Sequence, residues 1–290
     1  MKNFAEQMKS LVAERINADI EIVEVDKNNA TLTGLRIRET GNNIAPTIYL
    51  EGYKDAYDNG IIMGDIVDKF IEVYESSKSA TNIETTFVEL LNDWDKAKTY
   101  VVPCVRNGVN NPILNDAVFT KIDGTDLVEI YKIKLDDMSV TLNESHIKMY
   151  GISRAELKEN AWNNVKAPEV CNMEYVLAEM MGFEADEDKM AGGTPMYIAT
   201  NKDKFEGAMY ILSTEYLREI KDKINQYIPC NNMIILPSSI HEVICLPDSF
   251  ENDMSVLISM VREVNATEVS ATDKLSDNVY KFDGEKLTMV

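Results

Sequence analysis

The stretch at residues 20–50, IEIVEVDKNNATLTGLRIRETGNNIAPTIYL, decides the fold class of the first part of the chain. Apolar and polar residues alternate through it in three short runs, and a period of two is typical of β-strands. Turn-forming residues separate the runs at 27–29, Lys-Asn-Asn, and at 41–43, Gly-Asn-Asn. Because short turns join consecutive strands, the stretch predicts a three-stranded antiparallel meander.

Amphipathic helices flank this meander on both sides in the sequence. Residues at helical spacing form one apolar face before it and another after it: Phe4, Met8, Leu11, Val12 and Ile16, and then Met63, Ile66, Val67, Phe70, Ile71 and Tyr74. A sheet with one apolar face needs a cover, and these two helices can provide it. We therefore predict an α-β-β-β-α module at residues 1–95.

The remainder of the chain, residues 96–290, mixes predicted strands and helices without the regular βαβ alternation of a parallel sheet. Alternation predicts a strand at 127–135, and a hairpin is predicted at 279–289 around an Asp-Gly turn. Two further segments, 196–200 and 208–212, are predicted to pair as a hairpin. These patterns predict the α+β class, with antiparallel hairpins alternating with amphipathic helices, and a larger α+β domain at 96–290.

Residues 183–193 combine an acidic run with the pair Gly192-Gly193. Acidic residues and glycines without hydrophobic periodicity are typical of loops and linkers. The segment is therefore predicted to be either a linker between domains or a mobile loop within the larger domain, and the sequence leaves both interpretations open.

The chain is strongly acidic. Its 290 residues include 29 Lys and Arg against 49 Asp and Glu, so the formal net charge is −20. The charge is spread evenly, which is typical of a solvated acidic surface. Such a surface repels nucleic-acid phosphates and anionic membranes, so we expect neither direct nucleic-acid binding nor membrane binding.

The α-β-β-β-α order is shared with double-stranded-RNA-binding domains. Those domains carry lysines that contact phosphates at the start of the last helix, but the corresponding residues 60–66 contain Asp65 and no lysine. The charge pattern therefore disfavours RNA binding by this module.

The sequence lacks the segments and motifs that would indicate export, membrane insertion or a bound cofactor. No segment approaches the ~18 apolar residues that span a bilayer, and the N-terminus lacks the apolar core of a signal peptide, so we expect a cytoplasmic protein. The four cysteines, none in a C-x-x-C pair, are then expected to be reduced and mostly buried: Cys104, Cys171, Cys230 and Cys245. Gly-rich phosphate-binding motifs are absent and histidines are scarce, so no cofactor and no metal ion is predicted.

Catalytic candidates are few because the chain has only two histidines, His146 and His241. His146 is expected at the surface of a short helix. His241 lies in the sequence LPSSIHEVICLP, close to Ser239 and Glu242, and these three side chains are weak candidates for acid–base chemistry or a polar binding pocket. Neighbouring strand residues point to opposite faces, which disfavours a direct His241–Glu242 partnership, and turn hydrogen bonds explain the same residues.

A further candidate is the thiol of Cys104, since the charge of the nearby Arg106 would lower its pKa and favour the nucleophilic thiolate. A single cysteine in an apolar strand is more often a core residue. We therefore assign no catalytic residue, and Arg106 is kept only as a weak companion of His241.

Four segments together resemble an uncharacterised bacterial family that is known only as a domain of unknown function. They are NIAPTIYL at 43–50, TNK at 200–202, LPSSIHEV at 236–243 and VREVNAT at 261–267. The resemblance runs over almost the whole chain. The middle and C-terminal parts are also distantly similar to a second uncharacterised family of small bacterial cytoplasmic proteins. Neither resemblance implies a known substrate, cofactor or catalytic residue.

We therefore expect an acidic binding or accessory protein that acts through contacts with an unidentified protein partner. The basis is mainly negative, because a cofactor loop, a metal cluster and a convincing nucleophile–base pair are all missing from the sequence. Two alternatives stay open. The first is a hydrolase or transferase with its site around Ser239, His241, Glu242 and Arg106. The second is a nucleic-acid mimic that occupies a basic protein.

Overall fold

A computed structural model describes residues 1–39, 45–77, 81–136, 138–184, 188–237, 239–249 and 253–290, with the backbone alone described for 81–86. The predicted turn at 41–43, part of the 183–193 segment and Ser238 therefore lie outside the described residues.

The described residues form antiparallel sheets and separate helices, which confirms the predicted α+β class. The helices are α1 (Lys2–Ala13), α2 (Glu51–Asp58), α3 (Met63–Ser77), α4 (Thr81–Asn92), α5 (Trp94–Ala97), α6 (Glu144–Tyr150), α7 (Arg154–Asn163), α8 (Met173–Met181), α9 (Thr214–Asn225) and α10 (Met254–Thr267). The strands are β1 (Asp19–Lys27), β2 (Ala30–Arg38), β3 (Thr47–Tyr49), β4 (Val101–Asn107), β5 (Phe119–Lys121), β6 (Leu127–Leu135), β7 (Met138–Thr141), β8 (Glu169–Asn172), β9 (Tyr197–Thr200), β10 (Met233–Leu236), β11 (Val243–Pro247), β12 (Tyr280–Phe282) and β13 (Leu287–Met289). Short 3-10 helices lie at Pro112–Asn115 and Gly207–Leu212.

The first sheet has the order β1-β2-β3 and is antiparallel throughout, which confirms the meander predicted from residues 20–50. Its apolar face packs against α1 and α3, and the shared core buries Met8, Leu35, Ile37 and Phe70. The period of two in the strands and the helical period in α1 and α3 thus place their apolar residues in one layer between sheet and helices.

The second sheet joins β4, β6 and β5 in that order, and β7 also pairs with β6. β4 lies at the edge of this sheet, where Pro103 removes one backbone donor at little cost. The register places Cys104 opposite Ile130 and Arg106 opposite Val128. This register brings the charged end of Arg106 close to the third sheet, where the candidate site lies.

Helix α4 packs with the second sheet. Its Phe87 and Leu90 share one core with Val101 and Tyr131 of that sheet. The boundary predicted between residues 95 and 96 falls inside α5. The division into domains at 1–95 and 96–290 stays a prediction.

The third sheet has six strands in the order β13-β12-β10-β11-β9-β8. Its paired neighbours are antiparallel, and the terminal hairpin predicted at 279–289 is confirmed as β12 and β13. Helix α9 covers the core on one face with Leu217 and Ile220, whereas α10 contributes Leu257 and Val261 to a separate cluster with β10 and β11. The sheet therefore has an apolar layer against each helix.

The predicted pairing of residues 196–200 with 208–212 is wrong. β9 pairs instead with β8 and β11, and Gly207–Leu212 is a 3-10 helix. A Cβ at Gly207 would lie 2.3 Å from Thr200 Oγ1 and 2.5 Å from the carbonyl oxygen of His241, so the chain passes very close to β9 at this residue. Residues 207–211 are all buried, and a short run that is buried on every side has no periodicity that distinguishes strand from helix.

Candidate functional site

A buried cluster of charged side chains lies where the second and third sheets meet. Arg106 of β4 is 1% exposed and Glu206, in the loop after β9, is 2% exposed. The guanidinium donates two hydrogen bonds to the carboxylate, Nη1 to Oε2 at 2.6 Å and Nη2 to Oε1 at 2.5 Å. Lys132 of β6 donates from Nζ to the same Oε1 at 2.5 Å. Two-point pairing of guanidinium and carboxylate is the strongest geometry for such a contact.

The two cations keep Glu206 ionised. Burial alone would raise the pKa of this carboxyl group, but the charges and hydrogen bonds of Arg106 and Lys132 bring its pKa down to about 2. Burial opposes the charge of Arg106 in the same way, and Glu206 overcomes it, so that the pKa of the guanidinium is raised. Among the residues that the structure describes, none accepts a hydrogen bond from Arg106 Nε. The charges of Arg106 and Glu206 thus stabilise each other in the protein interior, although Arg106 Nε has no acceptor in the described part of the chain.

His241 lies beside this cluster, with both ring nitrogens engaged. Nδ1 accepts a hydrogen bond from the backbone N–H of Glu206 at 3.2 Å, and Nε2 lies 3.5 Å from Asp273 Oδ1. The imidazole ring also packs against Phe205, with 5.5 Å between the ring centroids. An acceptor nitrogen carries no proton, so in the neutral ring the proton is on Nε2, towards Asp273. Nδ1 is thus occupied by the Glu206 N–H, and Nε2 lies within ion-pair distance of Asp273 without a hydrogen bond among the described residues.

Among the described residues, no hydrogen bond joins the side chain of Ser239 or Glu242 to the His241 ring. Ser239 is buried, and its Oγ accepts a hydrogen bond from the backbone N–H of His241 at 3.0 Å. The side chain of Glu242 is half-buried and forms no hydrogen bond within the described part of the chain. The turn hydrogen bonds that the sequence offered as an explanation of Ser239 are therefore present.

The acidic partner of His241 is Asp273, which sequence reasoning did not identify. Asp273 follows α10 in a turn in which its backbone N–H donates to the carbonyl oxygen of Ser270. The N–H of Ile240 donates to the carbonyl oxygen of Asp273 at 2.8 Å, which ties this turn to the segment before β11. No local pattern marks such a pair, because the two residues meet only through the packing of separate loops.

The cysteines are free thiols in the structure. Burial raises the pKa of Cys104 to about 12, and it also raises the pKa values of Cys171, Cys230 and Cys245. The charge of Arg106 lowers the pKa of Cys104, but burial and Glu206 outweigh that effect. At neutral pH the thiol of Cys104 is protonated, and the side chain is a core residue.

His146 caps α6. Asn143 Oδ1 accepts from the backbone N–H of His146 at 3.1 Å, and His146 Nδ1 accepts in return from the N–H of Asn143 at 3.2 Å. Burial lowers the pKa of this half-buried imidazole, which favours the neutral ring that capping requires. His146 thus stabilises a helix end.

Within the described ranges no group of three or more His, Cys, Asp or Glu side chains is arranged to hold a metal ion. The helices in the same ranges include none that is long and apolar enough to cross a membrane. The hydrogen bonds around His241 join four parts of the fold in one group: β4, β6, the loop after β9 and the segment before β11.

Comparisons with known proteins place the chain in a family. A family of unknown function, DUF5688, matches residues 1–284. Neither the curated proteins nor the solved structures contain a match to the chain. The chain belongs to the DUF5688 family.

Proposed function

We propose that this is a non-enzymatic binding protein, and that helix α8 with the following Phe183 is the surface on which a protein partner docks. The observation that carries the proposal is the exposure of large apolar side chains there. Met180 is 79% exposed and Phe183 is 68% exposed, and Leu177 and Met181 are exposed as well. We call these four side chains the α8 ridge.

The exposure follows from how α8 is attached to the fold. None of the residues from Met173 to Met181 is buried. The helix is anchored at its N-terminal end, where the N–H of Met173 donates to the carbonyl oxygen of Met196 at 2.9 Å and Glu174 accepts from the N–H groups of Gly193 and Thr194. Gly182, with a φ of 71°, ends the helix at the other end. Leu177, Met180 and Met181 are three and four residues apart, so they lie on one side of the helix. A helix that is anchored at one end and presents a row of apolar residues to solvent is typical of an interaction surface.

The charges around the ridge indicate a cationic partner. Helix α8 contains Glu174 and Glu179 and no basic residue, and Glu184 follows Phe183 directly. The C-terminal end of a helix carries partial negative charge, and Met180 and Met181 lie at that end. Methionine-rich surfaces adapt to apolar partners of varied shape. A partner segment with lysines or arginines beside an apolar helix face complements both properties. The occupant that we propose is therefore a basic amphipathic helix of another protein.

The geometry around His241 supports the same choice over catalysis. Imidazole Nδ1, the Ser239 hydroxyl oxygen and the Glu206 carboxylate accept hydrogen bonds inside the fold, and Nε2 lies 3.5 Å from Asp273. Glu242 is the exception, since its side chain forms no hydrogen bond within the described part of the chain, and a hydrolase or transferase would need a nucleophile or base directed at a substrate beside it.

Binding is tested by titrating the full-length protein into a fluorescent amphipathic peptide built from leucine and lysine. The reference peptide replaces every lysine with glutamate. We expect the lysine peptide to bind more tightly, and Met180→Lys to weaken its binding by about tenfold or more, because an apolar contact of ~1.5 kcal/mol is lost and like charges are added. The control is Val256→Lys, which changes the charge equally at an exposed residue of α10 and leaves the α8 ridge intact.

Two results would contradict the proposal: equal binding of the two peptides, or equal binding by Met180→Lys and Val256→Lys. The salt dependence of peptide binding distinguishes the docking surface from the remaining alternative, a nucleic-acid mimic. Apolar docking persists in about 1 M salt, where the Debye length is about 3 Å, whereas a nucleic-acid mimic loses its basic partner there. Loss of binding in high salt without an effect of Met180→Lys would therefore favour a mimic.

A further inference from the structure

A cleft of about 530 Å³, lined mostly by residues with polar side chains, lies where the first, second and third sheets come together. It is lined by Asn29 from the β1–β2 turn, by Asn107 at the end of β4 and Asn110 after it, and by Asp126 and Asn278. Cofactor and ligand sites of ~300–1,000 Å³ are frequent at junctions between structural units. We propose that this cleft binds a small saccharide. The proposal is independent of the docking surface on α8.

The floor of the cleft is fixed by a carboxylate that accepts hydrogen bonds from neutral groups. Asp126 accepts from Asn107 Nδ2 at 2.6 Å, from Ser276 Oγ at 2.9 Å and from Asn278 Nδ2 at 3.0 Å. The hydroxyl of Tyr280 also donates to Asp126. These bonds fix which way each amide points, since the NH₂ group must face the carboxylate. Asn107 and Asn278 are therefore oriented before any ligand arrives.

The wall formed by the β1–β2 turn is fixed in the same way. Asn29 has a φ of 54°, and its Nδ2 donates to the carbonyl oxygens of Ala271 and Lys274, the latter at 2.7 Å. The neighbouring Asn28 donates to the carbonyl oxygens of Thr272 and Lys274. The first module is thus fastened to the loop after α10 by side-chain amides, and the cleft lies beside this contact.

Hydrogen-bonding capacity is left over at the cleft. No donor among the described residues reaches Oδ1 of Asn29 or Oδ1 of Asn278, and the exposed Asn110 makes no side-chain hydrogen bond with the described part of the chain. These groups offer two oriented acceptors and one amide that can both donate and accept. Vicinal hydroxyl groups, which donate and accept at neighbouring atoms, match this set.

Other ligand classes fit less well. Lys274 is the cation at the cleft, and its Nζ already donates to Asp277 at 2.7 Å, so an anion would face the carboxylates of Asp126 and Asp277 without a free positive charge. Eight of the eleven lining residues have polar side chains, and Val109, Ala271 and Leu275 are the apolar ones, so a purely hydrophobic ligand would leave the amides unpaired. An uncharged ligand rich in hydroxyl groups avoids both costs.

The side-chain NH₂ groups of asparagine give separate signals in ¹⁵N–¹H spectra and report on the cleft directly. The probes are glucose, N-acetylglucosamine and maltose, each titrated to millimolar concentration into the ¹⁵N-labelled full-length protein. We expect at least one probe to shift the signals of Asn29, Asn110 and Asn278 in a saturable manner. Asn110→Gly should weaken that binding about five- to tenfold, as expected for a lost hydrogen-bonding group.

Glycine is chosen for Asn110 because its φ of 50° strains most other residues. The control is Asn59→Gly, at the exposed C-cap of α2, which does not line the cleft and should bind as the wild type does. The proposal is overturned if no probe shifts these signals, if the shifted signals lie elsewhere, or if Asn110→Gly binds as tightly as the wild type.

Discussion

Glu206→Gln should destabilise the protein by about 3–5 kcal/mol at pH 7, because it removes the only negative charge paired with a fully buried guanidinium among the described residues. The substitution keeps the size and shape of the side chain. Arg106 and Lys132 then face an amide that cannot balance their charge. The free energy implied by the pKa agrees with that range, since lowering the pKa from 4.5 to about 2 corresponds to about 3 kcal/mol.

The stabilisation by Glu206 should depend on pH, and the direction of that dependence follows from the lowered pKa. The pKa of Glu206 is lower in the folded state than in the unfolded state, so the stabilisation is complete above pH ~4.5 and is lost as the pH falls towards 2. The difference in free energy of unfolding between wild type and Glu206→Gln should therefore be constant from pH 7 to about 5. Below that it should shrink by about 1.4 kcal/mol per pH unit. Urea unfolding followed by circular dichroism at a series of pH values measures it.

Two further variants show whether the buried charge is the cause. Lys132→Met leaves the Arg106–Glu206 pair in place, and Lys132 retains some exposure, so it should cost less than half as much as Glu206→Gln. Adding Arg106→Met to Glu206→Gln removes the unpaired charge, so the double variant should be more stable than Glu206→Gln alone. A cost below about 1 kcal/mol for Glu206→Gln, or a cost that does not change between pH 5 and 3, would refute the reasoning.

Three other substitutions or reactions test separate parts of the fold. Gly207→Ala should destabilise by about 1–3 kcal/mol in urea unfolding, because its Cβ would lie 2.5 Å from the carbonyl oxygen of His241; a wild-type midpoint would show that the loop can move away. His241→Ala should cost about 1–2 kcal/mol through the lost acceptor for the Glu206 N–H, and an unchanged thermal midpoint would contradict that role. In timed thiol labelling read by mass spectrometry, the half-buried Cys171 should react first and Cys104 only on unfolding, and rapid labelling of Cys104 would show that the second sheet opens.

Local patterns predicted those parts of the fold in which neighbouring residues decide the outcome. The meander at residues 20–50 is such a case, since strand alternation and the turn at Asn28-Asn29 act within a few residues of each other. The strand predicted at 208–212 was wrong because residues 207–211 are buried on every side, and at Gly207 this burial is made by Thr200 and by His241, which is distant in the chain. Sequence patterns report one exposed and one buried face, and they carry no information where there is no exposed face.

The site was predictable only as a set of residue types. The sequence suggested Arg106 and Ser239 as companions of His241, and the structure does bring all three into one region. It could not suggest Glu206 or Asp273, because their partners lie on other strands and loops and the short motifs around them resemble ordinary turns. Long-range ion pairs of this kind are set by the packing of sheets against each other, which no periodicity records.

Unused bonding capacity distinguishes the two proposed binding surfaces from the cluster at His241. Inside the cluster the carboxylate of Glu206 is paired with two cations, Arg106 and Lys132. Such a carboxylate stabilises the native state, and its bonding capacity is already used within the protein. The opposite holds on the α8 ridge, where Met180 keeps most of its apolar surface in water at a cost of about 25 cal/mol per Å² that only a partner can recover. It also holds in the cleft, where Asn278 is oriented by Asp126 and yet its Oδ1 has no donor among the described residues. The α8 ridge lacks apolar contacts, whereas acceptors in the cleft lack hydrogen-bond donors within the described ranges. The two surfaces therefore suit different ligands, and we expect the peptide and the saccharide to bind without displacing each other.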